Sequence, residues 1–439
     1  MATFPPAARG TGPMNLQTYT LILRLLLPFV LLRLYWRSLK APAYRRRIRE
    51  RLVRDAPPTA PAAVWVHAVS VGEVQAAAPL IRHLLTRQPP LKVLVTTTTP
   101  TGATRVGDLF GDTVSHRYTP YDLPEVVARL LERVRPRLLI VMETEIWPNT
   151  LAQCAAHGVA VVLANARLSA RSAKGYARLA GLTRETLGRF DLIAAQAQSD
   201  ARRFLDLGAD PRRVRVTGSI KFDLRLPASL QDQSEVLRRT WGGDRPVWVA
   251  ASTHEGEDEL MLAAHRRLRT REPGALLVLV PRHPERFERV AGLVTRAGFE
   301  LVRRSTRTPC TRETAVFLGD SMGELPVFLA AADAAFIGGS LVPTGGHNPL
   351  EAAAVGVPVV TGTHVFNFAA ITELLVSEGA AVQVTSAAAL ADLLGDWLTD
   401  AALRARIGER GRQVVEQNRG ALARLIELIE ERLPAATGA

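Results

Sequence analysis

Four ionisable side chains stand just after apolar runs, where an α/β enzyme commonly keeps its catalytic groups. Glu73 lies in "SVGEV", Glu143 and Glu145 lie in "METEIWPN", and Lys221 lies in "VTGSIKFD". A carboxylate held at the end of a strand can serve as a general base. Lys221 is one of four lysines in an arginine-rich chain, which suggests that a compact ammonium group is needed there.

Each of these residues also has a purely structural interpretation. Glu73 opens an apolar helix, and the helix dipole alone favours a glutamate at that position. One of the two glutamates in "METEIWPN" could cap the next helix, and Lys221 could be an ordinary surface lysine. The residue types alone leave both interpretations open.

The second half of the chain repeats the pattern with groups suited to a nucleotide. Arg282 and His283 follow "LVLVP", and an arginine there can bind a phosphate with two hydrogen bonds. Met322, Gly323 and Glu324 form a turn before a helix. A carboxylate entering a helix can accept hydrogen bonds from ribose hydroxyls.

The stretch "FIGGSLVPTGGHNPLEAA" (336–353) joins a glycine-rich loop to a helix start. We predict Asn348 as the helix cap, Pro349 as the first helical residue, followed by Leu350, and Glu351 as the partner in a capping box. The glycines would let the backbone approach a phosphate, and the helix amides would point at it. Ordinary turn and cap chemistry, repeated in three loops, is the alternative.

Short apolar runs alternate with helical stretches along both halves, which predicts buried parallel sheets built from βαβ units. The runs are at 63–69, 91–99, 137–143, 159–166, 192–198 and 213–219, then at 246–252, 275–283, 315–320, 334–340 and 358–362. We predict an α/β protein with two Rossmann-like domains facing a cleft. The predicted segments are 1–55 as membrane anchor with a basic segment, 56–230 as the first domain, and 231–439 as the second, with C-terminal helices.

Composition narrows the class of protein. The 439 residues are 47% hydrophobic and 22% charged, with a formal charge of +13. Residues 1–60 carry +9 of that charge, so the folded part lacks the general basicity of a nucleic-acid binder. Two distant cysteines provide neither a disulfide framework nor metal-ligand spacing, which fits a reducing cytoplasm.

The N-terminal region predicts attachment to a membrane. Residues 21–40 form an apolar run interrupted by Arg24, Pro28 and Arg33, and the arginine-rich stretch 41–52 follows. Basic residues after the apolar run are not the order of a secretory signal. We predict an anchor that spans the bilayer or lies in its interface, with the basic side in the cytoplasm. A buried helix of the first domain is the alternative. Residues 1–13 are predicted to be unstructured, with Met14 as a possible start.

Taken together, the motifs closely resemble those of bacterial 3-deoxy-D-manno-octulosonic acid (Kdo) transferases of lipopolysaccharide synthesis. The matching stretches are "LKAPAYRRR", "HAVSVGEVQAA", "TTTTPTG", "METEIWPN", "NARLSARSAKGY", "VTGSIKFD", "PRHPERF", "GDSMGEL" and "FIGGSLVPTGGHNPLEAA". They occur in order over most of the chain and are specific as a set.

The resemblance implies a GT-B glycosyltransferase on the cytoplasmic side of the inner membrane. It implies CMP-Kdo as donor, a lipid A precursor (lipid IVA) as acceptor, and no metal or other cofactor. By the same resemblance, Glu73 matches the general base, while Glu143 and Lys221 match residues that stabilise the transition state. The CMP-binding elements fall on these residues: Arg282, His283, Met322, Gly323, Glu324, Asn348, Pro349, Leu350 and Glu351.

Two other classes of function stay open on the sequence. One is another GT-B enzyme, such as a UDP-sugar transferase or epimerase. The other is a non-catalytic nucleotide-binding protein at the membrane. "SVGE" and "METEIWPN" argue against the first, and an intact Glu73 argues against the second.

Overall fold

The chain folds into two compact α/β units. The computed structural model describes residues 14–40, 42–44, 47–54 and 61–433. The first unit comprises the chain up to Asp223 together with the segment from Gly420 onward, and the second runs from Leu224 to Arg419. The predicted unstructured start (1–13) and residues 41, 45 and 46 of the predicted basic stretch lie outside the described residues.

The first unit is built around a parallel sheet of seven strands. In chain order these are β1 (Val64–His67), β2 (Val93–Thr97), β3 (Ser115–Tyr118), β4 (Leu138–Met142), β5 (Ala160–Ala166), β6 (Leu192–Ala195) and β7 (Val214–Val216). Their spatial order is β3-β2-β1-β4-β5-β6-β7. The strand order therefore reverses between β1 and β4, the point where open α/β sheets bind ligands.

Helices cover both faces of this sheet, as its buried strands require. They are α1 (Leu16–Lys40), α2 (Val71–Thr86), α3 (Pro100–Phe110), α4 (Pro124–Val134), α5 (Pro148–Ala156), α6 (Ala170–Ala177), α7 (Ala180–Leu187) and α8 (Gln198–Asp206). One apolar cluster lies under α2 and α3, and a second lies under α4, α5, α7 and α8. The alternation predicted from the apolar runs is thus confirmed.

The second unit repeats this architecture. Its elements are α9 (Leu230–Trp241), β8 (Val247–Thr253), α10 (Glu257–Leu268), β9 (Leu276–Pro281), α11 (Phe287–Arg296), β10 (Leu301–Arg303), β11 (Val316–Leu318), α12 (Leu325–Ala330), β12 (Ala334–Ile337), α13 (Leu350–Ala354), β13 (Val359–Thr361), α14 (Ala369–Ser377), β14 (Ala381–Gln383), α15 (Ala387–Thr399) and α16 (Ala401–Gln417). The strands lie parallel in the order β10-β11-β9-β8-β12-β13-β14, so here the order reverses between β8 and β12.

Three strands lack the apolar run on which the prediction depends. β3 is "SHRY", while β10 and β14 are three residues long and lie at the edges of their sheet. An edge strand pairs on one side only, so its sequence needs less hydrophobic character than a central strand.

The last helix, α17 (Ala421–Glu430), returns to the first unit. Its residues Ala421, Leu425 and Ile429 are buried in the cluster under α2. The Asp223 carboxylate accepts hydrogen bonds from the main-chain N–H groups of Gly420 and Leu422, both at 2.6 Å. The prediction assigned all of 231–439 to the second domain; the structure corrects this and places the boundary after Asp223. The helical periodicity of the apolar residues in α17 predicts a helix, but it does not indicate which of the two sheets that helix covers.

Helix α1 is attached to the first unit at its N-terminal end. Tyr19 Oη donates to Asp122 Oδ2 at 2.9 Å, and Thr20 Oγ1 donates to Asn149 Oδ1 at 2.8 Å. Beyond these contacts its large apolar side chains are mostly exposed, including Phe29 and Trp36 at 68% each. The helix is long and apolar enough to cross a membrane, and an exposed apolar helix does not fit the alternative of a buried domain helix.

The segment after α1 belongs to the folded domain, which moves the predicted boundary at residue 55. Val53 is 1% exposed within the first unit's core. The Arg51 guanidinium donates to the Thr98 carbonyl oxygen at 2.7 Å, and Glu50 Oε2 accepts from the N–H of Tyr118 at 3.1 Å. The exposed apolar part of this N-terminal region is therefore helix α1, which ends at Lys40.

Candidate active site

Glu73 lies at the point of the first sheet where the strand order reverses. It follows β1 in the first turn of α2, and Ser70 caps that helix by accepting a hydrogen bond from the Glu73 N–H. The Glu73 carboxylate reaches back to the N–H of Val69 at 2.8 Å and to the hydroxyl of Ser70 at 3.2 Å. The helix-start interpretation is therefore correct as far as it goes, since Ser70 caps the helix and Glu73 accepts from the N–H of the residue before the cap, which is a variant of the capping box.

The electrostatic environment of Glu73 goes beyond capping. Burial raises the pKa of its carboxyl to about 7, although the Val69 N–H favours the ionised form. The negative charges of Glu143 and Glu145 raise this pKa further. A carboxyl with a pKa near neutrality is suited to accept a proton during a reaction.

Glu143 and Lys221 form an ion pair, although they lie 78 positions apart in sequence. Lys221 Nζ lies 3.0 Å from Glu143 Oε1, and Arg167 Nη2 lies 3.7 Å from Glu143 Oε2. Glu143 has a φ of 56°, a left-handed conformation that costs a non-glycine residue of order 1 kcal/mol or more. The structure thus brings the two sequence-predicted groups together, with the Glu143 backbone in a conformation that such a residue rarely adopts.

Asn165, which the sequence prediction missed, fixes the loop that carries Lys221. Its Oδ1 accepts from the Ile220 N–H at 3.2 Å, and its carbonyl oxygen accepts from Gln196 Nε2 at 2.8 Å. Asn165 is fully buried and also has a positive φ, of 52°. Its only sequence signal is its place in "NARLS", since its partners lie 31 and 55 positions away.

His67 and Glu145 line a small cavity beside the same strand ends. Trp147 Nε1 donates to Glu145 Oε2 at 2.8 Å, and His67 Nε2 lies 4.0 Å from that oxygen. Burial lowers the pKa of His67 to about 4, so the imidazole is neutral at neutral pH. The cavity, about 20 Å³, also borders Thr119. His67 lies in "HAVSVGEV", but the sequence did not mark it as a site residue.

In the second unit, three histidines gather near the predicted Arg282. His254, which follows β8, lies with its Nε2 2.7 Å from Nε2 of His347, and the two rings are stacked. The exposed ring of His283 meets His254 edge-on, with centroids 5.6 Å apart. Burial lowers the pKa of His254 and, with the charges of His254 and Arg282, that of His347. Both rings are therefore neutral, and one donates to the other.

The guanidinium group of Arg282 has no hydrogen bond or ion pair with any residue that the structure describes, although the main-chain N–H of Arg282 donates to the Thr253 carbonyl oxygen at 3.0 Å. Burial raises the pKa of Glu351, while a hydrogen bond from Asn348 and the positive charge of Arg282 lower it. Arg282 also opposes the protonation of His347. An available guanidinium between a half-buried carboxyl and neutral histidines is suited to bind an anionic group such as a phosphate.

The glycine-rich loop is shaped mainly by contacts within the protein. A Cβ at Gly338 would lie 2.5 Å from the Ser252 carbonyl oxygen, and one at Gly345, whose φ is 101°, would collide with the Phe366 ring. These glycines are thus required by the packing of the second unit itself. The expectation that they serve a ligand's approach is not needed to explain them.

Glu257, a residue the sequence prediction missed, holds this loop from below. It is fully buried and accepts main-chain N–H bonds from Gly339 at 2.6 Å, from Ser340 and Leu341 at 2.9 Å each, and from His254 at 3.0 Å. The same carboxylate thereby joins the loops after β8 and β12. It lies over 80 positions from the loop in sequence, which is why no local pattern reveals it.

The helix start at 348–351 differs from its prediction. Pro349 is the N-terminal cap position and Leu350 is the first residue of α13, which is five residues long. Asn348 Oδ1 accepts from the Leu350 N–H at 3.1 Å. Asn348 therefore bonds to the start of the helix as predicted, but from the position before the cap. Glu351 does not complete a capping box, and the Leu350 side chain is fully buried in the core. A helix this short has a small dipole, so Asn348, Glu351 and main-chain groups are the parts available to a ligand.

The predicted turn Met322-Gly323-Glu324 follows β11, one strand beyond Arg282's strand β9. Met322 is exposed, and Gly323 has a φ of 84°. Glu324 is held by Arg304 through hydrogen bonds of 2.6 to 3.2 Å, which lower its pKa. Its carboxylate is therefore already occupied, and no described contact joins it to Arg282.

Comparisons with known proteins agree with this arrangement. Residues 46–224 match the family described as 3-deoxy-D-manno-octulosonic-acid transferase, and residues 245–414 match glycosyl transferases group 1. The chain is 45% identical over 415 residues to a 3-deoxy-D-manno-octulosonic acid transferase of Haemophilus influenzae, covering 94% of this chain and 97% of that protein. A protein of the same name from Bordetella pertussis is 38% identical over 433 residues, covering 94% and 98%.

Among solved structures, the UDP-GlcNAc 2-epimerase of Neisseria meningitidis bound to UDP-GlcNAc has a TM-score of 0.56 at 14% identity. It covers 84% of this chain and 99% of that protein. A glycosyltransferase of Rickettsia africae has a TM-score of 0.55, also at 14% identity, covering 85% and 100%. Similarity at this identity shows the fold alone, and it confirms the predicted α/β class with GT-B architecture.

The raised pKa of Glu73 predicts a specific dependence of stability on pH. An unfolded glutamate has a pKa of about 4.3, so the folded state holds this proton more tightly. The carboxyl therefore stabilises the fold below that pH, and the contribution is lost as pH rises through 7. Glu73→Gln keeps a neutral group. Relative to wild type, its free energy of unfolding should be higher at pH 8 than at pH 5, as measured by urea denaturation in detergent.

The matched control is Glu132→Gln, on the exposed side of α4. Its difference from wild type should be equal at the two pH values. If Glu73→Gln behaves like this control, the carboxyl of Glu73 is not held in its neutral form by the fold.

Proposed function

Because this chain belongs to the family of Kdo transferases, we propose that it transfers Kdo from CMP-Kdo to the lipid A precursor lipid IVA at the cytoplasmic face of the inner membrane. The chain is a glycosyltransferase of lipopolysaccharide synthesis, as its relatives show. The donor, the acceptor, the location and the role of each residue are the parts that we propose.

The observation that carries the acceptor-side proposal is the group of three carboxyls and one lysine where the first sheet's strand order reverses. Glu73 has a pKa of about 7, and it is raised in part by Glu143 and Glu145. Glu143 is itself compensated by Lys221 at 3.0 Å. This arrangement leaves Glu73 as the carboxyl best placed to exchange a proton near neutral pH.

In the proposed reaction, the acceptor hydroxyl oxygen attacks the anomeric carbon of Kdo while the bond from that carbon to the CMP phosphate oxygen breaks. The electron pair of that bond leaves with CMP, and Glu73 takes the proton of the hydroxyl. Lys221 offsets negative charge, and Glu143 supports positive charge at the reacting carbon or orients the acceptor. Attack on the face opposite CMP inverts the anomeric configuration and requires no covalent enzyme intermediate.

On the donor side, we propose that Arg282 binds the CMP phosphate and that Glu351 binds ribose hydroxyls. The free guanidinium of Arg282 and the half-buried carboxyl of Glu351 support this assignment. His283 and Asn348 lie in the same group. Met322, Gly323 and Glu324 follow the neighbouring strand, where main-chain groups of the turn are the available contacts. We keep the proposal that no metal takes part, because Arg282 and Lys221 supply the cationic groups.

A UDP-sugar epimerase is the alternative within the same fold. The UDP-GlcNAc 2-epimerase structure is only 14% identical in sequence to this chain, whereas the two Kdo transferases are 45% and 38% identical to it over 94% of its length. The group around Glu73 also lies in the stretch matched by the Kdo transferase family. Kdo transfer is therefore the function that the observations favour.

Glu73→Gln tests the general base. The substitution keeps the size of the side chain and removes the proton acceptor, so turnover should fall by a factor on the order of a thousand, within the usual range for general-base catalysis. Binding of CMP should stay at the wild-type level. Release of CMP from CMP-Kdo in the presence of lipid IVA measures turnover, with Glu132→Gln as control. Near-wild-type turnover would return Glu73 to a role in capping α2.

Glu351→Gln tests the nucleotide site. Loss of hydrogen bonds to a charged carboxylate should weaken CMP binding by a factor of about 10 to 100. Calorimetric titration with CMP measures this, and Glu378→Gln, on the exposed surface of the second unit, is the control. If thermal stability falls while the CMP affinity is unchanged, Glu351 has only a structural role.

Deletion of residues 1–40 tests the anchor. The deletion stops before the segment around Val53 that belongs to the core, so the protein should stay folded, bind CMP and no longer sediment with vesicles. Deletion of residues 1–13 alone is the control and should leave sedimentation unchanged. A protein without residues 1–40 that still sediments like the full chain would show that another surface binds the membrane.

A further inference from the structure

Helix α6 presents a row of cations that the catalytic proposal does not use. Arg171 and Lys174 belong to the helix, and Arg178 follows its last residue with helical backbone angles. The three are spaced three and four positions apart, so they lie along one face. All three are exposed, and no residue of α6 is buried. Their side chains have no hydrogen bond or ion pair with any residue in the described part of the chain.

Arginines elsewhere in this unit are commonly paired. On the neighbouring helices, Arg189 pairs with Glu185 at 2.7 Å and Arg203 pairs with Asp200 at 3.4 Å. Like charges three or four positions apart on a helix destabilise it by a few tenths of a kcal/mol. An unpaired cationic row is therefore a cost to folding, which suggests that an anion from outside the chain completes it.

The position of α6 indicates which kind of molecule supplies that anion. The helix follows β5 on the ligand-binding side of the sheet, just after Arg167, which contacts Glu143. On its opposite face Tyr176 packs on the apolar cluster that Leu23 and Leu27 of α1 also join. Burial and the charge of Glu145 raise the pKa of Tyr176. Helix α6 thus lies beside both the carboxyl groups of the acceptor side and the N-terminal helix α1, and its row of cations faces outward from that position.

We propose that Arg171, Lys174 and Arg178 bind phosphate groups of the lipid-linked acceptor. A phosphate is the anion that an amphiphile carries at a membrane surface, and guanidinium and ammonium groups are its usual partners. The row spans roughly 10 Å along the helix, at 1.5 Å per residue, which is enough for more than one phosphate. This inference rests on the proposed function, because it gives the acceptor its binding element.

The test compares two double variants of the full-length protein in neutral detergent micelles. One is Arg171→Gln with Lys174→Gln, in which glutamine keeps helix propensity. The control is Lys92→Gln with Arg137→Gln, which removes one lysine and one arginine exposed at the opposite, amino-terminal edge of the same sheet. The measurements are KM for the lipid acceptor at saturating donor, and CMP affinity.

For the phosphorylated acceptor we expect KM to rise about tenfold in the α6 variant, from the loss of two charge-assisted contacts. The control variant should keep the wild-type KM, and both should keep CMP affinity. With an acceptor whose phosphates have been removed, wild type and the α6 variant should have equal KM. The difference for the phosphorylated acceptor should shrink as salt is added.

An unchanged KM for the phosphorylated acceptor in the α6 variant would overturn the proposal. Sedimentation with phosphatidylglycerol vesicles is then measured as well, and weaker sedimentation of the α6 variant would assign the row to bilayer lipids instead. If wild type itself transfers no Kdo while CMP still binds, the proposed function fails, which is distinct from either result.

Discussion

Main-chain N–H groups bound to buried carboxylates hold the loops of both candidate sites. Glu257 accepts four of them and joins the loops after β8 and β12. Asp122 accepts from the N–H groups of Asn149 and Thr150 at the start of α5, the helix that follows the Glu143 loop. A buried carboxylate without such partners would be very costly, so each loop is restricted to the conformation that supplies them. Side-chain functions then follow from this fixed backbone.

This dependence explains what the sequence could and could not predict. Central strands such as β4 are continuous apolar runs, so the sequence predicts them. It therefore also predicts that the residues after these strands, including Glu143, lie at the ends of strands. Lysine is rare in this chain, which makes Lys221 a candidate site residue, and its ion pair with Glu143 is consistent with that prediction. Apart from His254, the partners of Glu257 and Asn165 given above lie 31 to 84 positions away, and no local pattern encodes such contacts. The sequence indicates that the glycines after β12 are structurally important, but the packing that requires them involves Ser252 and Phe366, which lie in other segments.

Stability and function are in tension in the first unit. Burial and the neighbouring carboxylates of Glu143 and Glu145 raise the pKa of Glu73, and Glu143 adopts a left-handed backbone conformation. Both features lower the stability of the fold at neutral pH. The β5 segment holds the strained residue, since the Glu143 N–H donates to the Ala164 carbonyl oxygen and the Glu143 carbonyl oxygen accepts from the Arg167 N–H. Such strain persists only where the rest of the domain determines the conformation.

The return of α17 to the first unit has a consequence for synthesis on the ribosome. Translation completes the second unit, residues 224–419, before Ala421, Leu425 and Ile429 leave the exit tunnel. Until then the nascent first unit exposes the apolar surface that these residues cover, while its N-terminal helix is already available to the bilayer. The half of the protein that is made first is therefore finished last, and a premature stop codon near residue 420 would damage the N-terminal core more than the C-terminal one.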